Sequence, residues 1–199
     1  MSNKALVIGA TGTIGSAVVQ KLSTHQWEVV TAARSDADEY VDLSDPGSIR
    51  TLFDRVGIVN AIVSCAGAAR FVAIPDATDE DWTFSLSNKL MGQVNLVRFG
   101  RTHISDGGSI TLTTGVLADH PLPGSSILTT VNAGLQGFVR SSPLELTDVR
   151  VNAVSPGWVS ETLTAMGKDP AEGTPAAAVA ELYLAATEHA GGGEILAVN

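Results

Sequence analysis

A glycine-rich turn near the amino terminus constrains the fold of this chain more than any other feature. The apolar run Lys4–Ile8 leads directly into Gly-Ala-Thr-Gly-Thr-Ile-Gly, and a helical pattern follows it. A strand, a glycine turn and a helix in this order are typical of dinucleotide-binding folds, because the first helical amides and the helix dipole attract a pyrophosphate. An ordinary tight turn is the alternative. The predicted nucleotide contacts are Gly9, Thr11, Gly12, Thr13, Ile14 and Gly15.

The three glycines of this turn have different predicted roles. Gly9 lets the chain turn sharply at the end of the strand. Gly12 has no side chain that would keep a pyrophosphate away from the backbone, and Gly15 lets the helix pack closely against the strand.

The rest of the chain alternates apolar strands with amphipathic helices. Strands are predicted over residues 4–8, 27–33, 39–41, 58–63, 109–114, 149–154 and 194–198. Helices are predicted over 46–56, 126–141 and 175–189, and residues 79–103 predict two helices or one bent helix. This alternation predicts an α/β fold, a Rossmann-type doubly wound parallel sheet of about seven strands in the order 3-2-1-4-5-6-7 between two helix layers. Since no repeat or linker interrupts it, we expect one dinucleotide-binding domain over residues 1–199.

Composition excludes several classes of function. The formal net charge of −9 disfavours nucleic acid as a partner. No apolar run reaches the length of a membrane span, and no signal segment is recognisable at the amino terminus. The single cysteine, Cys65, suits a reducing compartment, so a cytoplasmic protein is expected. No group of histidine, cysteine and acidic residues has metal-ligand spacing, which predicts no metal site.

The end of the second predicted strand bears on the choice of nucleotide. In NAD-binding folds an acidic residue about twenty positions after the glycine turn binds the ribose 2′-hydroxyl. The chain has Ala33 at this place, followed by Arg34 and Ser35. Because arginine pairs bidentately with a phosphate, the sequence favours NADP over NAD. A solvated surface arginine is the alternative, and Asp36 and Asp38 nearby leave NAD open.

Three motifs in order resemble the short-chain dehydrogenase/reductase family. They are the Gly-x-x-Gly-x-x-Gly turn, Ser-Cys-Ala-Gly at 64–67 and Arg-Val-Asn-Ala-Val-Ser-Pro-Gly-Trp at 150–158. The resemblance covers nearly the whole chain and implies hydride transfer between a nicotinamide and a carbonyl or alcohol carbon of a small molecule. It also implies cofactor contacts at Asp42, Leu43, Cys65, Ala66, Gly67, Pro156, Gly157 and Val159.

The chain departs from this family where the chemistry is expected. The resemblance implies a Tyr-x-x-x-Lys pair on the helix 126–141, but the matching positions are Leu128 and Asn132. Thr114 stands where the resemblance implies a serine that orients the substrate. Lys89 takes the place of a family asparagine, so lysine and asparagine are exchanged between two helices. We predict that Lys89 reaches the site from the opposite wall; a solvated Lys89 is the alternative.

Other donors are possible, and so are other functions. His120 lies in a loop that the resemblance places beside the substrate, and it could donate a proton near neutral pH; an exposed loop histidine is the alternative. The predicted catalytic set is therefore Thr114, Lys89, Asn132 and His120. The chain is an NADP-dependent oxidoreductase with an atypical proton donor, a nucleotide-binding sensor or assembly subunit without turnover, or an enzyme that runs a different step. The resemblance also implies a homodimer or homotetramer that pairs through residues 86–103 and 126–141.

Overall fold

A computed structural model describes residues 3–189 and 191–198 and contains one parallel sheet of seven strands. The strands are β1 (Lys4–Ile8), β2 (Glu28–Ala33), β3 (Glu39–Tyr40), β4 (Val59–Ser64), β5 (Ile104–Thr113), β6 (Arg150–Ser155) and β7 (Ile195–Ala197). Their order in the sheet is β3-β2-β1-β4-β5-β6-β7, and every pairing is parallel. The predicted Rossmann-type topology is confirmed. The order reverses between β1 and β4, which is where such sheets bind ligands.

Helices cover both faces of the sheet and divide the core into two layers. They are α1 (Thr13–Thr24), α2 (Pro46–Val56), α3 (Asp79–Ser85), α4 (Gly92–Gly100), α5 (Ser126–Ser141), α6 (Ser160–Ala165) and α7 (Ala176–Glu188). On one face, apolar residues of α2, α4 and α5 pack against alternate residues of the strands. On the other face, α1 and α7 pack against the remaining residues of the same strands. Strands buried on both sides explain why they read as continuous apolar runs.

The residues at its first turn determine where α2 begins, the helix that covers the nucleotide-binding half of the sheet. Asp45 precedes α2, and its carboxylate accepts the Gly47 N–H at 2.8 Å. Pro46 occupies the first helical position, where no N–H is needed. The predicted start and end of this helix are therefore confirmed, and α5 also has its predicted bounds.

The predicted start of one strand differs from the structure. β5 begins at Ile104, five residues before the predicted start, because Ser-Asp-Gly-Gly at 105–108 interrupts the apolar pattern but stays in the strand. The register of β4 and β5 shifts there, since Val59 pairs with Ile104 and Ala61 with Ser109. Residues 79–103 contain α3, a π-helical segment (Leu86–Met91), α4 and a final 3₁₀ turn, which agrees with the predicted two helices or one bent helix. The other strand ends and α7 agree within one residue.

Candidate active site

A cavity of about 390 Å³ lies over the carboxyl ends of β1, β2 and β4, at the point where the strand order reverses. Its position agrees with the ligand crevice of open α/β sheets. The residues that line it are Ile8, Gly9, Thr11, Gly12, Ala33, Arg34, Ser35, Val41, Asp42, Leu43, Cys65, Ala66, Gly67, Ala68, Phe84 and Asn88. The cavity therefore brings together most of the predicted cofactor residues of the nucleotide half.

The glycine turn has the geometry that a close phosphate contact needs. Gly9 has φ +78°, and a Cβ there would lie 2.8 Å from the Ala66 Cβ. A Cβ at Gly15 would lie 2.0 Å from the Gly9 carbonyl oxygen, so helix α1 and the turn are in direct backbone contact. At Gly12 a Cβ would meet only that same oxygen, at 3.4 Å, and otherwise points into open space. The turn thus leaves an open cradle at Gly12 beside the start of α1, which fits a pyrophosphate.

Arg34 and Asp42 line the cavity at the end of β2, with Asp38 nearby, and both carboxylates accept hydrogen bonds from neighbouring residues. The Asp38 carboxylate accepts the Thr31 N–H at 3.0 Å and the Thr31 hydroxyl at 2.7 Å, and these bonds lower its pKa. Ser44 likewise donates its N–H and hydroxyl to Asp42, and the pKa of that carboxyl is lowered mainly for this reason. Arg34 is exposed and forms no ion pair with a described residue. Arg34 and Ser35 are therefore available to a 2′-phosphate, whereas Asp38 is bound within its own strand pair.

The π-helical segment directs two adjacent side chains to the same sheet edge. The Asn88 side-chain oxygen accepts the Ala68 N–H at 2.7 Å, which holds the loop after β4. Next to it, Lys89 Nζ donates to the Thr114 carbonyl oxygen at 3.2 Å, and its side chain packs against Gly67. Such widened turns are frequent at functional sites, and this one lets neighbours reach two different loops. The structure thus places the half-buried Lys89 side chain between the loop after β4 and the end of β5.

The Lys89 ammonium lies in an environment that disfavours its charge. The side chain is half-buried, and burial lowers the pKa of Lys89 to about 8. Among the described residues no carboxylate lies within 4.0 Å of its Nζ. Lys89 is therefore a cation held by a neutral carbonyl, able to release a proton close to neutral pH.

Thr114 lies next to Lys89, and Asn132 lies next to Gly115. Thr114 contacts Lys89 through its carbonyl oxygen and not through the hydroxyl that was expected to act. Thr114 is buried, and its hydroxyl is directed at the Val154 carbonyl oxygen, 3.5 Å away. It is the Thr114 carbonyl that binds Lys89, so the predicted use of the hydroxyl to orient substrate has no support in this geometry. The next residue faces α5 instead, since a Cβ at Gly115 would lie 2.9 Å from Asn132 Nδ2. Asn132 is buried, and its Oδ1 has no partner among the described residues.

The remaining candidate donors lie elsewhere. His120 is exposed, just after the 3₁₀ segment that follows β5, and it does not line the cavity. Leu128 supplies no proton at the position implied for tyrosine. The Tyr183 hydroxyl lies 2.6 Å from the Thr113 hydroxyl. It reaches this place from α7, on the opposite face of the sheet from Lys89, and it is fully buried with its pKa raised, chiefly by desolvation. Tyr183 is thus close to Thr113 but lies on the opposite side of β5 from Lys89.

The segment after β6 does not line the cavity. Pro156 O accepts the Val116 N–H at 3.3 Å, which joins this segment to the turn after β5. Thr174 bridges both neighbours of Val159, because its N–H donates to Trp158 O at 2.8 Å and its carbonyl accepts the Ser160 N–H at 3.0 Å. Pro156, Gly157 and Val159 therefore lie outside the lining of the cavity, next to the short helix α6. Thr13, Ile14 and Gly15 support the cavity from α1 without lining it.

Sequence reasoning missed the apolar lining residues Ile8, Ala33, Val41 and Ala68, and three residues of the irregular helix after β4. Phe84 and Asn88 line the cavity, and Gln93 binds the backbone at the end of β5. All three belong to the irregular helix over residues 79–103. The one available signal was the pair of polar residues, Asn88 and Gln93, in a segment that otherwise packs against the sheet.

The strand order, the glycine turn and the cavity at the point where that order reverses define a class, the dinucleotide-binding proteins of the Rossmann type. The family model described as "Enoyl-(Acyl carrier protein) reductase" matches residues 9–184. The chain therefore belongs to the short-chain dehydrogenase/reductase family, as the sequence motifs predicted.

Individual relatives agree with this assignment. The 3-oxoacyl-[acyl-carrier-protein] reductase FabG of Haemophilus influenzae is 27% identical over 190 residues, which cover 80% of this chain and 75% of that protein. The crystal structure of the protein lin1944 from Listeria innocua matches with 35% identity and a TM-score of 0.94 over 100% of both chains. A small-chain dehydrogenase solved in complex with NADPH has 24% identity and a TM-score of 0.88, over 100% of this chain and 97% of that one. The last similarity concerns the fold alone.

Proposed function

We propose that the chain binds NADP(H) and transfers a hydride to or from a small carbonyl or alcohol substrate, with Lys89 as the proton donor. The observation that carries the proposal is the Lys89 ammonium on the Thr114 carbonyl, at the end of the strand next to the nucleotide cavity. Arg34 makes no described ion pair with Asp38 or Asp42, which accept hydrogen bonds from Thr31 and Ser44, and Arg34 and Ser35 favour the phosphorylated nucleotide.

Separate residues of the chain would bind the cofactor and transfer the proton. The cofactor supplies the hydride when bound. Gly12 and the first amides of α1 would hold its pyrophosphate, Arg34 its 2′-phosphate, and the unpartnered Asn132 Oδ1 could accept a ribose hydroxyl. Lys89 Nζ would give a proton to the carbonyl oxygen as hydride arrives at the carbon, and water would return that proton. With its pKa lowered to about 8, Lys89 is mostly protonated at pH 7 and still a better acid than an ordinary lysine.

The test is a pair of lysine variants. Lys89→Met should lower kcat/KM for NADPH oxidation against a carbonyl panel by roughly 10²-fold or more, since a general acid contributes about 10² to 10⁴ in rate. Lys21→Met, on α1 and paired with Glu181, is the matched control and should keep the parent activity. Unchanged turnover in Lys89→Met would remove Lys89 from the mechanism.

A second candidate is an NADP-binding sensor or assembly subunit without turnover. It is favoured by the lack of a hydroxyl donor at the two positions where the family resemblance implies one, since Leu128 stands in the tyrosine position and the Thr114 hydroxyl is directed at the Val154 carbonyl. Fluorescence titration with NADPH, followed by the carbonyl panel, separates the two. Binding without oxidation by the parent protein would select the sensor.

The proposal includes a homo-oligomer in a reducing, cytoplasmic compartment. The exposed side of α5 carries Ala133 and Gly137, which would allow close approach of a second copy, whereas Gly134 faces Leu90 within the chain. No helix within residues 3–189 and 191–198 is long and apolar enough to cross a membrane. Light scattering at several concentrations would measure the oligomeric state.

A further inference from the structure

The last residues of β5 extend beyond the reach of β4. The final registered pair of these strands is Val63 with Thr111. Thr114 donates its N–H to Val154 of β6 at 2.9 Å, so Thr113 presents its backbone to the opposite side, where β4 has ended. A buried N–H and carbonyl at this place need partners from another element.

The Gln93 side chain supplies both partners. Its Oε1 accepts the Thr113 N–H at 2.7 Å, and its Nε2 donates to the Thr113 carbonyl at 2.8 Å. Gln93 is fully buried. A primary amide offers one acceptor and donors in the arrangement that a strand residue would offer, so Gln93 takes the place of the missing continuation of β4.

The same amide also ties the turn that carries Lys89. Gln93 lies one helical turn after Lys89, and its Nε2 is 3.4 Å from the Lys89 carbonyl oxygen. Lys89 in turn donates to Thr114, the residue that follows Thr113. Gln93 and Lys89 thus bind adjacent residues of β5 from adjacent turns of one helix.

We propose that Gln93 is a positioning residue, which fixes the start of α4 against the end of β5 so that the Lys89 ammonium stays on the Thr114 carbonyl. The functional meaning of this position rests on the proposed role of Lys89 as proton donor. The proposed effect of Gln93 on the position of the Lys89 amine does not rest on that role, because it concerns geometry alone.

Tyr183 provides a matched comparison, because it holds the same Thr113 from the other face. The Thr113 hydroxyl donates its single proton to the Ser64 carbonyl at 2.5 Å. The Tyr183 hydroxyl, 2.6 Å away, must then be the donor to Thr113. Tyr183 belongs to α7, so Tyr183→Phe weakens the anchoring of Thr113 but leaves the link between α4 and β5 intact.

The experiment measures the titration of each lysine without cofactor or turnover. Trace acetylation with acetic anhydride between pH 6 and 11, read by peptide mass spectrometry, gives separate pKa values for Lys4, Lys21, Lys89 and Lys168. In the parent protein Lys89 should titrate near 8. Gln93→Met keeps the volume but neither hydrogen bond, so the amine should move into water and its pKa should rise by about one unit or more toward 10.5. Tyr183→Phe should leave the Lys89 titration unchanged.

Each outcome decides the proposal. A Lys89 pKa in Gln93→Met equal to that of the parent would overturn it, and so would an equal rise in Tyr183→Phe. Gln93→Asn, whose shorter amide cannot reach both Thr113 groups, replaces Gln93→Met if that variant does not fold. A parent protein that shows no turnover would contradict the proposed function but would leave this titration result valid.

Discussion

Replacing Gly12 with alanine separates nucleotide binding from folding. The backbone at Gly12 has φ −79° and ψ 171°, which an alanine adopts without strain. A methyl group there meets only the Gly9 carbonyl oxygen, at 3.4 Å, and projects from the cavity wall into the space that a pyrophosphate would occupy. The change therefore adds an obstacle to the ligand and almost none to the fold.

Two opposing terms set the expected stability of Gly12→Ala. Alanine reduces the freedom of the unfolded chain, which stabilises by about 0.4 to 1 kcal/mol. Gly12 is also the N-cap of α1, where alanine is less favourable than glycine by roughly the same amount. The free energy of unfolding should thus stay within about 1 kcal/mol of the parent value. NADPH affinity should fall by about 10- to 100-fold, since one lost hydrogen bond to a charged group is worth about 1.5 to 3 kcal/mol.

Gly15→Ala is the contrasting control. Its methyl group would lie 2.0 Å from Gly9 O, and Gly9 cannot yield easily because its N–H is bonded to Ala32 O at 2.8 Å. We expect a loss of about 3 kcal/mol in the free energy of unfolding, at the upper end of typical overpacking. Urea unfolding and NADPH fluorescence titration measure both quantities for both variants. Parent-like NADPH affinity in Gly12→Ala would refute the placement of the pyrophosphate on this turn.

Three further predictions concern other parts of the molecule. Arg34→Ala should weaken NADPH binding by about 10-fold or more and leave NADH binding unchanged, because only the 2′-phosphate contact is lost; equal losses for both nucleotides would contradict this role. Asp45→Ala should lower the free energy of unfolding by about 1 kcal/mol in urea, since the bond to the Gly47 N–H disappears; an unchanged midpoint would show that the cap contributes nothing. Lys89 binds fewer protons in the folded than in the unfolded state between pH 8 and 10.5, so the parent should gain stability as pH rises through that window; the same gain in Lys89→Met would contradict it.

The fold was predictable because local and global signals agree in this chain. The glycine turn, the Asp45-Pro46 helix start and strands buried on both faces each predict the same α/β architecture. The start of β5 was missed because Gly107 and Gly108 carry no apolar signal. The strand continues there because the space of a side chain at Gly108 is filled by the Asn60 carbonyl oxygen, 2.6 Å from a Cβ position, which is a tertiary contact.

The nucleotide half of the site was likewise predictable, and the catalytic half only in part. Backbone-built contacts at Gly9 and Gly12 follow from residue type, since only glycine permits them. The role of Thr114 depends on which of its atoms faces inward, and strand geometry at the end of β5 turns its hydroxyl to Val154. The hydrogen bonds from the Gln93 side chain to Thr113 could not be predicted from the sequence. They replace the pairing that β4 no longer provides, and the point where β4 ends is a property of the assembled sheet.

The exchange of lysine and asparagine between two helices argues for a site in use. A half-buried ammonium without a carboxylate partner destabilises the folded state at pH 7, as the lowered pKa of Lys89 shows. A methionine or leucine at that position would remove this cost and fill the same space beside Gly67. The chain instead holds the lysine on the Thr114 carbonyl, and a buried glutamine secures the next residue of the strand. Groups with perturbed pKa values that are fixed this closely cluster where proteins perform chemistry, which is why we place the proton donor at Lys89 and not at the exposed His120.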